Sequence, residues 1–368
     1  MYLLKDFGKH SASVQIVLLA LALFMSGCTT IGPDSIPRDR FDYNTAISDS
    51  WKEQTLLNIV KIRYSDMPLF VEVASVVSGY TMQSSVNIAG TATNLPGGGG
   101  DLASLGASGT YTDRPTITYA PITGKTFNHN FMKPIPPGSV VFLMQSGWAI
   151  DMIFPLTIDS INGLRGRVAG GAAQYTGDEE YYRIIQLFRE MQKSGAVGMH
   201  IRKGKQEQDT TVLFFYKDKL SPELKAVQAE LGELLGLDMN APELKVSYGL
   251  LPKGDDEVAL RTRSILQIMI TLAADVQVPE AHVTDGRTVA TLRNINESKE
   301  NHAPLIDIKY SEEKPEYAFS AVRYKEYWFY IDDRDFDSKR AFAFLMILFS
   351  LTETGGGDLL PVVTIPAG

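Results

Sequence analysis

The chain has 368 residues, 44% of them hydrophobic and 21% charged, with a formal net charge of −8 and a pI near 5.3. That length supplies one large or two ordinary domains, each with a real core. The composition excludes a disordered, collagen-like or disulfide-stapled chain. An acidic chain lacks the basic footprint of a nucleic-acid binder, so no nucleic-acid partner is expected. No run after residue 28 reaches 18 apolar residues, so no internal transmembrane helix is expected either.

The first 28 residues carry the strongest local pattern. Lys5 and Lys9 give a cationic start, and Val14 to Phe24 is an apolar run of 11 residues, as in a cleavable signal peptide. Met25-Ser26-Gly27-Cys28 follows at once and resembles the lipobox of bacterial lipoproteins, with Met25 in place of the commoner Leu. Small residues let a peptidase reach the bond, and a thiolate is the group that a lipid donor alkylates. The resemblance implies cleavage between Gly27 and Cys28. It also implies a diacylglycerol on the Cys28 sulfur and an N-acyl chain, such as palmitate, on the new N-terminus. No other cofactor is expected. Two or three chains anchor stably where one is marginal. Cys28 is the only cysteine, so the 341 residues of the mature chain form no disulfide even in an oxidising compartment. Thr29, not Asp, follows it; in a Gram-negative host this implies sorting to the outer membrane, with the body facing the periplasm.

Thr29 to Arg40 holds Gly32, Pro33 and Pro37 and reads as a tether of about 12 residues, with a reach of roughly 40 Å. Trp51, Leu56, Ile59, Val60 and Ile62 predict a helix within 44–64, stopped by Asp66-Met67-Pro68. Residues 69–77 are strand-like. The next segment, 79–119, holds only three charged residues, Asp101, Asp113 and Arg114, where the chain average gives about nine. Met82, Ser84, Val86 and Ile88 alternate with Gln83, Ser85, Asn87 and Ala89. Leu105, Ala107, Gly109 and Tyr111 alternate with Ser104, Gly106, Ser108 and Thr110. A period of 2 on both sides of Gly97–Gly100 predicts one long Gly-rich β-hairpin. Two uses compete for it. One is a pair of membrane-barrel strands, which would need a ring of copies to close. The other is a surface hairpin or partner-binding arm.

Pro134, Pro136 and Pro137 form a rigid linker. Ser139 to Ile153 predicts a helix broken at Gly147, followed by a strand over Leu156 to Ile161 and the turn Asn162-Gly163. Ala169 to Ala172 reads as a loop. Asp178 caps a helix with Tyr181, Tyr182, Ile185, Phe188 and Met191 on one face, and Gly195 ends it. Val197–Arg202 and Thr211–Tyr216 predict a strand pair around a loop over 203–209. Ser221-Pro222 opens a helix to about Leu235, and Leu244–Tyr248 is a strand. Further on, Asp255–Ala274 predicts a helix and 280–303 a loop. Ile306–Ile308 and Ala321–Ile331 are strand-like, Asp337–Leu351 is an apolar helix, and Leu360–Ile365 is a closing strand. The aromatic run Tyr324, Tyr327, Trp328, Phe329 and Tyr330 is expected to pack on that helix. The expected fold class is α+β, with mixed helices, antiparallel strands and the long hairpin. Its parts are a signal peptide (1–27), a lipidated tether (28–40), helix plus hairpin (41–128), an α+β domain (129–253) and a C-terminal α+β block (254–368).

No catalytic set emerges. Asp333-x-Asp335-x-Asp337 fits the first half of a calcium loop, but Ser338 and Phe344 stand where that loop needs Gly and Glu, so the acids are expected to cap the following helix. His129, His200, His282 and His302 show no ligand spacing, and no metal site is expected. Ser311-Glu312-Glu313-Lys314 formally fits S-x-x-K, yet it precedes Pro315 in a charged loop. Gly97–Gly100 lacks the Lys-Ser/Thr pair of a phosphate loop.

Residues 327–340, Tyr-Trp-Phe-Tyr-Ile-Asp-Asp-Arg-Asp-Phe-Asp-Ser-Lys-Arg, are similar to a C-terminal signature of uncharacterised proteobacterial envelope lipoproteins. The resemblance implies an envelope lipoprotein and transfers no activity. The expectation is an outer-membrane-anchored, non-enzymatic structural or assembly component. Its partners would be the membrane, through its lipid, and an envelope protein or further copies of itself. The competing expectation is a lipid-anchored hydrolase or ligand-binding protein, with His129, Asp159, His200 and Asp333 as first candidates for a site assembled from distant residues.

Overall fold

A computed structural model describes residues 35–77, 80–91, 102–113, 116–168, 177–202, 210–216, 220–291 and 304–352. The signal segment with Gly27 and Cys28, the Gly97–Gly100 tip, the loops at 169–172 and 203–209, and the strand expected over 360–365 lie outside those residues. The chain divides into two units, 1–54 and 55–368.

Helix α1 (Ser35–Arg63) takes in the last six residues of the stretch read as a tether. Pro37 explains the misreading. It looks like a breaker, yet in a first turn its missing N–H costs nothing, because those donors have no intrahelical partner. Within the first unit, Lys52 pairs with Asp49 one turn away at 2.7 Å.

The second unit is α+β. Strand β1 (Val71–Val77) pairs antiparallel with β4 (Thr116–Pro121), and β2 (Tyr80–Thr91) with β3 (Leu102–Asp113). Each pair forms a two-stranded sheet. Helix α2 (Gly124–Phe127) and a π-helical turn (Asn128–Met132) lead to α3 (Pro137–Gln145) and α4 (Ile150–Thr157). Gly147, at φ +96°, makes the expected break between the last two.

The central sheet has six strands: β5 (Ile158–Ile161), β6 (Leu164–Arg165), β7 (Val197–Arg202), β8 (Thr210–Phe215), β9 (Leu244–Tyr248) and β10 (Glu257–Thr262). Their order is β6-β5-β10-β9-β8-β7, with β9 and β10 parallel and the other neighbours antiparallel. The turn at Asn162-Gly163 has φ of 46° and 90°, the left-handed pair that a two-residue hairpin requires. Asn162 also locks the sheet, since its side chain donates to Leu235 O and accepts from Ala259 N. Helix α5 (Glu179–Lys193) packs on α6 (Pro222–Leu235), with Arg183 and Glu230 bridging them. Asp178 precedes α5 as expected, but its carboxylate takes the Arg165 N–H across the turn and makes no cap bond.

Strand β10 corrects the helix expected over Asp255–Ala274. The segment is strand to Thr262, and α7 (Ile265–Ala273) starts only after Ser264. A strand at the centre of a covered sheet is buried on both faces, so it reads as a continuous apolar run without period-2 alternation. The capping box Ser264-Ile-Leu-Gln267 is present in both directions and marks the true helix start. The sheet therefore draws strands from both sides of residue 253/254.

Helix α8 (Glu280–Thr284) interrupts the stretch read as loop. Strand β11 (Lys309–Ser311) lies just beyond the Ile306–Ile308 expected, and β12 (Ala318–Tyr324) and β13 (Tyr327–Asp332) complete a three-stranded sheet with β13 in the middle. The apolar helix α9 (Phe336–Thr352) is a core element. Phe342, Phe344, Leu345, Leu348 and Phe349 are buried, and Phe344 packs on Trp148 with ring centroids 5.0 Å apart. Phe319 of β12 meets Phe342 at 6.1 Å. Among the described residues no helix is long and apolar enough to cross a membrane.

Replacing Ser264 with Ala should remove half of the capping box and lower stability to urea by about 1 kcal/mol. Unchanged stability would show that packing alone sets the start of α7.

Candidate functional site

In the ribbon of β1 to β4, among the described residues, strands β2 and β3 pair with each other and with no third strand. In β2 and β3, Met82 pairs with Tyr111, Ser84 with Gly109, Val86 with Ala107 and Ile88 with Leu105. The apolar rows read separately from each strand thus fall into one row. The other row pairs Gln83 with Thr110, Ser85 with Ser108, Asn87 with Gly106 and Ala89 with Ser104. At its middle the Ser85 and Ser108 hydroxyls share a 2.6 Å hydrogen bond, exposed to solvent. The innermost pair of β1–β4, Val77 with Thr116, and the first pair of β2–β3, Tyr80 with Asp113, are separated by two residues on each strand. Both ribbons therefore share one register frame.

The base of the ribbon is fastened to the core. Phe70, just before β1, is buried and lies 4.0 Å from the Phe131 ring and 6.2 Å from that of Phe349. Ile122, just after β4, donates its N–H to Phe70 O at 2.9 Å. Beyond this base, the row on β4 is exposed, with Ile117 at 40% and Tyr119 at 59%. Among the described residues neither β2 nor β3 pairs with a third strand. Each strand keeps one edge of backbone donors and acceptors without a strand partner.

The residues proposed for a distant-residue catalytic site are not gathered. Asp159 sits on β5, ion-paired with Arg261 and 3.7 Å from Arg263. His200 sits on β7, with Nε2 3.3 Å from a Glu243 carboxylate that also pairs with Arg202. Strands β5 and β7 stand four inter-strand spacings apart, about 19 Å. His129 bonds its sequence neighbour Asn130 at 3.1 Å, and Asp333 takes the Lys339 ammonium at 2.7 Å. The acids before α9 do what capping predicts. Asp335 accepts from Ser338 N at 3.1 Å and Ser338 Oγ at 2.7 Å. Asp332 holds Arg334, which keeps its carboxyl well below the usual range. Among the described residues no cluster of three metal-ligating side chains occurs.

Sequence reading missed two polar clusters whose members lie far apart in the chain. In the first, the Tyr64 hydroxyl and His282 Nδ1 are 2.7 Å apart and buried. The Tyr64 ring meets Tyr324 at 5.4 Å and Phe329 at 6.1 Å, and Tyr324 donates to the Asp66 carboxylate at 2.8 Å. Burial pushes the Tyr64 phenol up to about 12 and holds His282 below its ordinary 6.5, with Arg287 nearby also opposing a proton there. Both groups are neutral at neutral pH, so the pair ties α1, α8 and the β12–β13 hairpin together without charge. In the second cluster, Arg167 makes a two-pronged pair with Asp275, with one arm at 2.9 Å. Buried Arg263 donates to Arg167 O at 2.6 Å and Leu156 O at 3.3 Å. Arg63, also buried, donates to Val289 O at 2.6 Å, and burial lowers its pKa. Each arginine is spent on carboxylates or carbonyls that close the ends of elements.

A cleft of about 610 Å³ lies beside α8, lined by Gln277, Val278, Glu280, Val283, Ala290, Thr291 and Tyr310. Its described lining carries one carboxylate, Glu280, and the hydroxyls of Thr291 and Tyr310. No protein-family model, no curated protein and no solved structure matches the chain.

The depressed His282 pKa has a definite sign. The unfolded chain takes up a proton near 6.5 that the folded one resists, so the contribution of neutral His282 is complete above that pH and is lost as pH falls below it. Urea titrations from pH 8 to 5 should therefore show a steeper loss of stability for the native chain than for His282→Gln. Equal slopes would mean that the ring is solvated.

Proposed function

We propose that the protein is an outer-membrane-anchored lipoprotein whose periplasm-facing body serves as a non-enzymatic structural or assembly component of an envelope complex. The observation that carries the reading is the ribbon. Two 12-residue strands with one charged residue between them, Asp113, bond to each other, and among the described residues no third strand covers their outer edges. A lone two-stranded hairpin is marginal in water, and open, uncharged edges are templates for another chain. Such edges suit an assembly component, which joins its partners through them. The anchoring half of the reading rests on Met25-Ser26-Gly27-Cys28 after its 11-residue apolar run.

One pair of variants tests both halves. Cys28→Ala should move the protein from the membrane to the soluble fraction on cell fractionation. Replacing residues 81–112 with Asn-Gly closes the ribbon at the Tyr80–Asp113 pair. It should leave the thermal midpoint of the body nearly unchanged while light scattering on detergent-extracted protein falls from a multi-chain complex to a monomer. Membrane retention of the first variant, or an unaltered complex in the second, would overturn the corresponding half.

A further inference from the structure

We infer that β2 and β3 enter a bilayer as two strands of a β-barrel completed by further copies of this chain, so that the assembly encloses an aqueous passage. The inference rests on the assembly reading above and names its partner, a second copy. Three features of the ribbon select this occupant.

The first is length. Twelve residues extend about 40 Å at roughly 3.3 Å each. Tilted by about 40°, they rise about 30 Å, enough to cross the ~25 Å apolar band of a membrane barrel.

The second is the pattern of the rows fixed by register. One row holds Tyr80, Met82, Val86, Ile88, Leu105, Ala107 and Tyr111, with Ser84 and Gly109 between and Gly90 and Ala103 at the far end; its two tyrosines sit in adjacent pairs at the base, where its single charge, Asp113, pairs with Tyr80. Aromatic residues at the end of an apolar row are what a membrane interface favours. The other row is small and polar, with the exposed Ser85–Ser108 bond at its centre. A partner-binding arm in water has no need to keep its apolar row free of charge from the Met82–Tyr111 pair outward. A lipid-facing row does, and a small polar row opposite it suits a water-filled lumen.

The third is the backbone. Within hydrocarbon every N–H and C=O needs a partner, so an isolated hairpin cannot insert. Identical copies present complementary edges of equal length and register, and about four of them reach the eight strands of the smallest barrels. The two-stranded β1–β4 ribbon in the same register frame then links the barrel to the folded body.

The test uses the full lipidated protein, extracted in detergent and reconstituted into vesicles of phosphatidylethanolamine and phosphatidylglycerol loaded with carboxyfluorescein. The native chain should release the dye. Val86→Arg and Ile88→Arg, on the apolar row, should cut the release rate by roughly tenfold or more, because each copy places a cation against lipid. Ser85→Arg and Asn87→Arg, one residue away on the polar row, should keep the release and raise the permeability of anions over cations in bilayer recordings. The thermal midpoint of each variant shows whether its body is folded. Equal loss from both rows, or no effect from either, would overturn the inference. A native chain that forms a discrete multi-chain complex and releases no dye would overturn it too, while leaving the assembly reading standing. A native monomer in detergent would remove both.

Discussion

Every backbone N–H and C=O in a strand needs a partner, and that requirement organises this protein. At the centre of the six-stranded sheet it is met. Strand β10 has a neighbour on each side and is buried on both faces, and the elements before and after it are tied to its ends by Asn162, Ser264 and Arg263. In the ribbon it is half met. Among the described residues, strands β2 and β3 satisfy each other and no third strand, although they are at least twice as long as any strand of the central sheet. The contrast between these two sheets is the structural basis of the functional reading.

The body is built to hold the ribbon's base still. Phe70 and Ile122 flank the ribbon and are joined by a backbone hydrogen bond, and Phe70 stacks into the Phe131–Phe349 aromatic group. Phe349 belongs to α9, so this buried apolar helix helps to seat the base of the ribbon. Further polar ties close the body around it. Tyr64–His282 and Arg167–Asp275 are hydrogen-bonded pairs that join segments far apart in the chain.

What could be read from the sequence was local. The Asn162-Gly163 turn, the break at Gly147, the Ser221 cap before Pro222 and the cap at Asp335 each follow from residue types within four positions of one another. The pairing of the two hairpin rows was legible because alternation with a period of 2 fixes which residues share a face, and antiparallel pairing then fixes the register. Strand β10 was not legible as a strand, because burial on both faces erases alternation. The helix start at Ser35 was masked by Pro37. The Tyr64–His282 and Arg167–Asp275 pairs span 218 and 108 residues, and no local pattern announces such a contact.

The central claim is that the open edges of β2 and β3 are closed by other copies. Hydrogen–deuterium exchange with residue-level readout on the assembled, detergent-extracted protein addresses it directly. In a two-stranded ribbon only alternate amides point inward to a partner, and the outward set exchanges freely. If neighbouring copies pair edge to edge, both sets over 80–91 and 102–113 should be protected in the assembly. Protection of every second amide alone, unchanged by assembly, would show that the edges stay open and would contradict the account.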